Sequence, residues 1–180
     1  MAVRLVWMAH GMTTGMRALT FGDESSLVEP KPDRRPVQRT ATCSCGPETA
    51  CVETAEALGV RATVDDRLAG LDTGSWRGHT LAVIADRSPE DLASWLADSQ
   101  ARPHGGESFA DLVQRVGAVC DNTDWAPGTH LLVVHPTVAR AAAVHALDVS
   151  AEAIFRLEVA PLGRVTMSRS KDRWRLLGLG

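Results

Sequence analysis

The sequence predicts an α/β fold, a three-layer α/β/α sandwich with a mostly parallel central sheet, and three observations carry that prediction. Val3 to Met8 and His130 to Val134 are short apolar runs rich in β-branched residues, the pattern of strands buried on both faces. Phe109, Leu112, Val113, Val116, Val119 and Cys120 recur at helical spacing and mark an amphipathic helix. Strand-like and helix-like stretches alternate along the chain, which implies a sheet covered on both sides.

The remaining elements follow in order. The first strand ends at His10-Gly11 and runs into a loop with Thr13, Thr14 and Gly15. Phe21 to Val37 is rich in Asp, Glu, Ser, Pro and Arg without periodicity and reads as an exposed loop. Thr40 to Cys45 reads as a second strand. Pro47 opens a helix that runs to about Leu58 and stops at Gly59. A further helix follows His79, and Ser88-Pro89-Glu90-Asp91 starts another. Ser108 can cap the helix that begins at Phe109. Val138 to Leu147 is a helix after the strand His130 to Val134. Phe155 to Leu177 alternates and turns at Pro161-Leu162-Gly163 and near Lys171-Asp172, giving two or three final strands. Neither a repeat nor a long linker divides the chain, so residues 1–180 are expected to form one domain.

Composition narrows the function. The 180 residues carry a net charge of −3 with no strongly basic stretch, which argues against nucleic acid and anionic membrane surfaces as partners. No apolar run approaches the length of a membrane span, and the start MAVRLVWMAHG lacks a signal-peptide layout. The expectation is a cytoplasmic protein with reduced thiols at Cys43, Cys45, Cys51 and Cys120. The Cys43 and Cys45 spacing is poor for zinc, and no HxxxH or CxxC pattern supports a metal, so neither a metal nor another cofactor is expected.

In a parallel sheet, ligands bind beyond the carboxyl ends of the strands. His10 and His135 both stand at such ends. Two imidazoles on adjacent strand ends can act as nucleophile and charge partner, and the helix N-terminus after His135 favours an anion. The competing reading is that each ring merely hydrogen-bonds in a crowded corner. His79, His104, His130 and His145 are placed as surface or structural residues.

Five motifs in order then resemble the histidine phosphatase superfamily, which includes the phosphoglycerate-mutase-like proteins. They are Met8-Ala9-His10-Gly11, Thr54-Ala55-Glu56-Ala57-Leu58-Gly59, Gly74-Ser75-Trp76-Arg77-Gly78 after Leu68, Gly105-Gly106-Glu107-Ser108, and Val133-Val134-His135-Pro136-Thr137-Val138-Ala139-Arg140. The resemblance implies a nucleophilic His10 paired with His135. The candidate substrate-contacting residues beside them are Gly11, Glu107, Pro136 and Thr137, with Arg17, in the loop after His10, and Arg140, in the helix after His135, as candidate replacements for cations this chain lacks. Glu107 and Arg140 also have structural explanations, as a helix-cap acid and a helix residue.

The departures from that family are as telling. Ala9 and Ala50 stand where its phosphate-binding arginines are expected, Met16 where an Asn is, and Gly70 where the acid that protonates the leaving group is. A phosphomonoester carries about −1.5 to −2 charges near neutral pH, and its transfer depends on cations and dipoles held against that charge. Three functions follow. The first is a member with weak or lost phosphatase activity and a ligand- or partner-binding role. The second is a phosphomonoesterase working through a phosphohistidine at His10. The third is a repurposed acid–base enzyme on a non-phosphorylated substrate. The expected ligand is a small phosphorylated or anionic molecule. A cationic pocket favours the second function; a neutral one lined by Met8, Met12 and Met16 favours the others. A homodimer is expected across a sheet face left bare by the short Phe21 to Val37 segment.

Overall fold

The computed structural model describes residues 2–28, 42–171 and 173–180. Among these residues, six strands form one sheet: β1 (Val3–Ala9), β2 (Thr42–Cys45), β3 (Thr63–Val64), β4 (Gly128–Val134), β5 (Arg164–Ser170) and β6 (Arg173–Leu179). Their order is β3-β2-β4-β1-β5-β6. The first four strands in that order run parallel, and β5 and β6 add antiparallel at one edge. β1 and β4 are the central strands, so their near-continuous apolar runs reflect burial from both sides.

Strand alternation divides the core in two. Leu5, Trp7 and Ala9 of β1, with Leu132 and Val134 of β4, pack against α5 (Phe109–Asn122) and α6 (Pro136–Leu147). Met8, Leu131 and Val133 point the other way and meet Cys51 and Ala55 of α2 (Thr49–Ala57). The short helices α1 (Thr14–Ala18), α3 (Leu81–Arg87) and α4 (Pro89–Ala97) complete the set. A third cluster, Phe21, Trp76, Ile84 and Leu92 with Trp95 against it, joins α3 and α4 to the loops.

Local chemistry sets the boundaries. Ser108 and Asp111 form a reciprocal capping box at the start of α5. Gly59, at φ +71°, ends the turn after α2. α2 begins at Thr49 rather than Pro47, because Glu48 is extended and holds the cap position. α6 begins at Pro136 rather than Val138, since proline suits the first helical position and His135 caps it. Two loops cross so closely that each needs glycine. A Cβ on Gly74 would lie 2.2 Å from the His104 carbonyl oxygen, and one on Gly106 2.2 Å from that of Asp72.

The part of the expected loop from Phe21 to Val28 contains only an isolated bridge between Leu27 and Thr13. The remainder, to Val37, lies outside the described residues. The four cysteines are free thiols, and Cys45, Cys51 and Cys120 are buried. Burial also pushes the Cys43 thiol up to about 11, with Cys45 adding to the shift, so it is not a thiolate at neutral pH. Among the described residues, no helix is long and apolar enough to cross a membrane.

Candidate active site

The pairing of β1 with β4 brings the two histidines together. Ala9 is opposite Val134, so the next residue of each strand, His10 and His135, leaves the sheet side by side. The His10 N–H donates to the Val134 carbonyl oxygen at 2.9 Å. The two imidazole rings meet edge to face with centroids 5.3 Å apart.

The loop that carries His10 is tied down from two sides. The Gly11 N–H donates to Thr54 Oγ1 at 2.9 Å, and that hydroxyl donates to the Ala50 carbonyl oxygen at 2.6 Å. The first histidine motif is thus fastened to the Thr-Ala-Glu-Ala-Leu-Gly helix through one buried side chain. From the other side, the Ala9 N–H donates to the Gly163 carbonyl oxygen at 2.9 Å.

The two rings have different partners, and the partners fix different tautomers. His10 Nδ1 lies 2.7 Å from the Gly11 carbonyl oxygen, which can only accept, so Nδ1 carries the proton and Nε2 is left with a lone pair. His135 Nδ1 accepts from the Thr137 N–H at 3.2 Å, so its Nε2 carries the proton and can donate. Both rings are held neutral near pH 7. Desolvation by burial lowers the His10 pKa, against the opposing pull of the Gly11 carbonyl, Glu48 and Asp23. Burial, then His10 and Arg140, pushes that of His135 down to about 3.

A cavity of about 400 Å³ opens beside the pair. Phe21, Trp95 and Phe109 contribute an aromatic wall, and His135, Thr137 and Arg140 contribute the α6 side. His10 is only 3% exposed and, though its ring packs against that of His135, it is not part of the lining. The lining holds four carboxylates, Asp23, Glu24, Glu48 and Asp72, against two guanidinium groups, Arg77 and Arg140. Arg77 is engaged by Glu24 at 2.8 Å and Asp72 at 3.7 Å. Burial of Asp23 raises its pKa, but hydrogen bonds from Ser25 and Thr13 outweigh this and hold it below the usual carboxylate value. Among the described residues, three buried polar atoms of the lining find no protein partner: Thr73 Oγ1, Trp95 Nε1 and Arg140 Nε.

The other residues singled out from the sequence divide. Gly11 is buried in the loop just described, and Pro136 begins α6 beside His135. Arg17 lies exposed in α1 and is not part of the lining. Glu107 is held in a two-pronged pair by Arg115, at 2.8 Å on each oxygen. Arg115 also donates to the carbonyl oxygens of Arg67, Ala69 and Gly70, so this pair braces the Gly70 loop. Met8, Met12 and Met16 do not line the cavity either. The lining is therefore neither cationic nor methionine-rich. Sequence reasoning missed Asp23, Glu48 and Arg115, none of which belongs to a motif quoted above. Among the described residues, no three His, Cys, Asp or Glu side chains gather in a way that could hold a metal ion.

Two neighbouring strand ends, each closing on a histidine, above an α/β/α sheet define a phosphoglycerate-mutase-like arrangement. The chain belongs to the histidine phosphatase superfamily (branch 1), whose family model matches residues 34–180 and so begins after His10. It is 37% identical over 110 residues to a bifunctional protein of Mycobacterium tuberculosis, a stretch covering 60% of this chain and 30% of that protein. The chain thus spans about a third of the length of that relative. It is 34% identical over 83 residues to the glucosyl-3-phosphoglycerate phosphatase of Mycolicibacterium vanbaalenii, covering 41% of this chain and 37% of that protein. The native structure of a mycobacterial glucosyl-3-phosphoglycerate phosphatase superposes with a TM-score of 0.80 over 98% of both chains, at 22% identity.

Proposed function

We infer that this protein is a weak phosphomonoesterase that transfers a phosphoryl group to His10 and then to water. The observation that carries this reading is the complementary pair of tautomers. His10 presents a lone pair at Nε2 for in-line attack on phosphorus, and His135 presents an N–H that can hold a phosphoryl oxygen. The relatives that bear the name phosphatase support the same chemistry. Glucosyl-3-phosphoglycerate, a phosphorylated sugar acid, belongs to their names; here the aromatic wall and the unpartnered polar atoms suit an organic group of comparable size.

Two features make the reaction slow. The dianion enters a cavity lined by more carboxylates than guanidinium groups, with both imidazoles uncharged. One unpaired charge contact at about 4 Å is worth roughly 4 kcal/mol at moderate dielectric before desolvation, so the loss of fixed cations is expensive. His10 is also nearly covered, which restricts the approach of phosphorus to Nε2. Steady-state hydrolysis of p-nitrophenyl phosphate tests the reading. The expected turnover is below about 1 s⁻¹, the low end of ordinary enzymes, and is lost in His10→Ala. Turnover equal in wild type and His10→Ala, or none in either, removes it.

The acid-rich lining favours a second reading, in which the cavity binds a ligand without turning it over. Protection against thermal unfolding by a ligand, with no His10-dependent phosphate release from any phosphomonoester, would select it.

A further inference from the structure

Glu48 lines the cavity and does not use its carboxylate to cap the helix that it begins. It occupies the cap position of α2, where Ser, Thr, Asp or Asn would satisfy the helix N–H groups, yet its side chain makes no capping bond. The carboxylate instead bridges its own helix and a distant loop. Oε1 accepts the N–H of Gly70, on a loop 22 residues later. Oε2 accepts from the thiol of Cys51, in the first turn of α2, at 3.5 Å.

Two glycines keep room for it. A Cβ on Gly46 would stand 2.5 Å from Glu48 Oε2, and one on Gly70 would stand 3.1 Å from Oε1. The same Cβ on Gly70 would be 3.4 Å from Cβ of His135, so the carboxylate occupies the corner beside the second histidine. Glu48, Gly70 and His135 all line the cavity. No lysine or arginine pairs with Glu48 among the described salt bridges. Its charge is felt at His10, where it opposes the effect of burial.

We propose that Glu48 is the proton donor to the leaving group, a catalytic acid delivered from the start of α2 and aimed by the Gly70 N–H. The proposal rests on the phosphomonoesterase reading. In the first step the His10 Nε2 lone pair forms the N–P bond, the P–O bond to the leaving group breaks, and the Glu48 carboxylic acid gives its proton to that oxygen. The products are an alcohol, phosphohistidine and the Glu48 carboxylate. In the second step the carboxylate takes a proton from water as its oxygen attacks phosphorus. The N–P bond breaks, inorganic phosphate leaves, and Glu48 is an acid again. General acid catalysis of this kind is worth about 10²–10⁴-fold for a poor leaving group and little for a good one.

The test compares two substrates of opposite leaving-group demand, p-nitrophenyl phosphate and glycerol 3-phosphate. In Glu48→Gln the amide oxygen still accepts from Gly70, so the tie between α2 and the loop is kept while the proton is lost. The ratio of glycerol-phosphate to aryl-phosphate kcat/KM is expected to fall at least about 30-fold. In Glu48→Ala/Gly70→Glu a carboxylate is returned to the same corner from the loop, and the ratio is expected to recover. A ratio unchanged in Glu48→Gln, with His10-dependent aryl turnover present, overturns the assignment of Glu48 alone. Absence of His10-dependent turnover on both substrates in the wild type overturns the phosphatase reading, and this assignment with it. A parallel fall on both substrates in Glu48→Gln, not recovered in Glu48→Ala/Gly70→Glu and accompanied by a lower melting temperature, would make Glu48 a structural tie and also overturn the proposal.

Discussion

The ends of β1 and β4 carry the same residue type at matched positions, yet they treat it differently. At the end of β1, His10 leads into a glycine loop, is nearly fully covered, and spends its Nδ1 proton on its own neighbour's carbonyl. At the end of β4, His135 leads into a twelve-residue helix, caps it through Nδ1, and faces the cavity half-buried. One junction frees a lone pair and the other frees a proton. Secondary structure after a strand, loop or helix, therefore selects the tautomer and with it the role.

The largest test of that difference is kinetic. On p-nitrophenyl phosphate, His10→Ala should remove every turnover that passes through a phosphoprotein, a loss of about 10³-fold or more. His135→Asn should cost about 10²-fold while still forming acid-labile phosphohistidine, because it removes one stabilising donor and spares the nucleophile. Equal losses, or phosphoprotein in the His10 variant, would break the assignment of roles.

Next comes the pH dependence of folding. Both histidines have folded-state pKa values below the ordinary 6.5, and that of His135 is about 3. Between about pH 6.5 and pH 3 the unfolded chain binds protons that the folded chain refuses. Stability therefore rises with pH through that window and is lost as the pH falls. Urea unfolding across the window should show this slope. His135→Asn should flatten it more than His10→Ala, since carbonyl, Glu48 and Asp23 already favour the charged form of His10. An unchanged slope in His135→Asn would mean that the ring is protonated in the folded protein.

The smallest effect isolates the cap. His135→Ala should cost about 1 kcal/mol more than His135→Asn at pH 7.5, because asparagine can accept the Thr137 N–H and alanine cannot. Equal stabilities would show that the helix does not use the ring.

Most of the frame was legible because strands and helices write themselves in local periodicity. The apolar runs of β1 and β4 and the spacing from Phe109 to Cys120 needed no tertiary knowledge. The pairing of His10 with His135 was also legible, through the order of the motifs and the rule for strand ends. The chemistry of the walls was not. Glu48 looks like an ordinary acid at a helix start, a favourable place for negative charge, and nothing nearby in sequence announces that it reaches Gly70. Asp23 lies in an aperiodic loop, and its ionisation depends on Thr13 and Ser25 folding back on it. Arg17 was a candidate because it follows His10 closely, but α1 turns it to solvent. Nearness along a chain fixes direction poorly once a helical turn intervenes.

The position of β1 at the centre of the sheet has a consequence for how the molecule comes into being. Its neighbours are residues 128–134 on one side and 164–169 on the other. A ribosome therefore finishes the segment carrying His10 long before either flank exists, and that strand must wait, unpaired and apolar, until both have been made. Pairings so distant in sequence form late and slowly. The hairpin of β5 and β6, whose entry at Gly163 holds Ala9, is thus the last part of the sheet to be made and the part that steadies the strand end carrying His10.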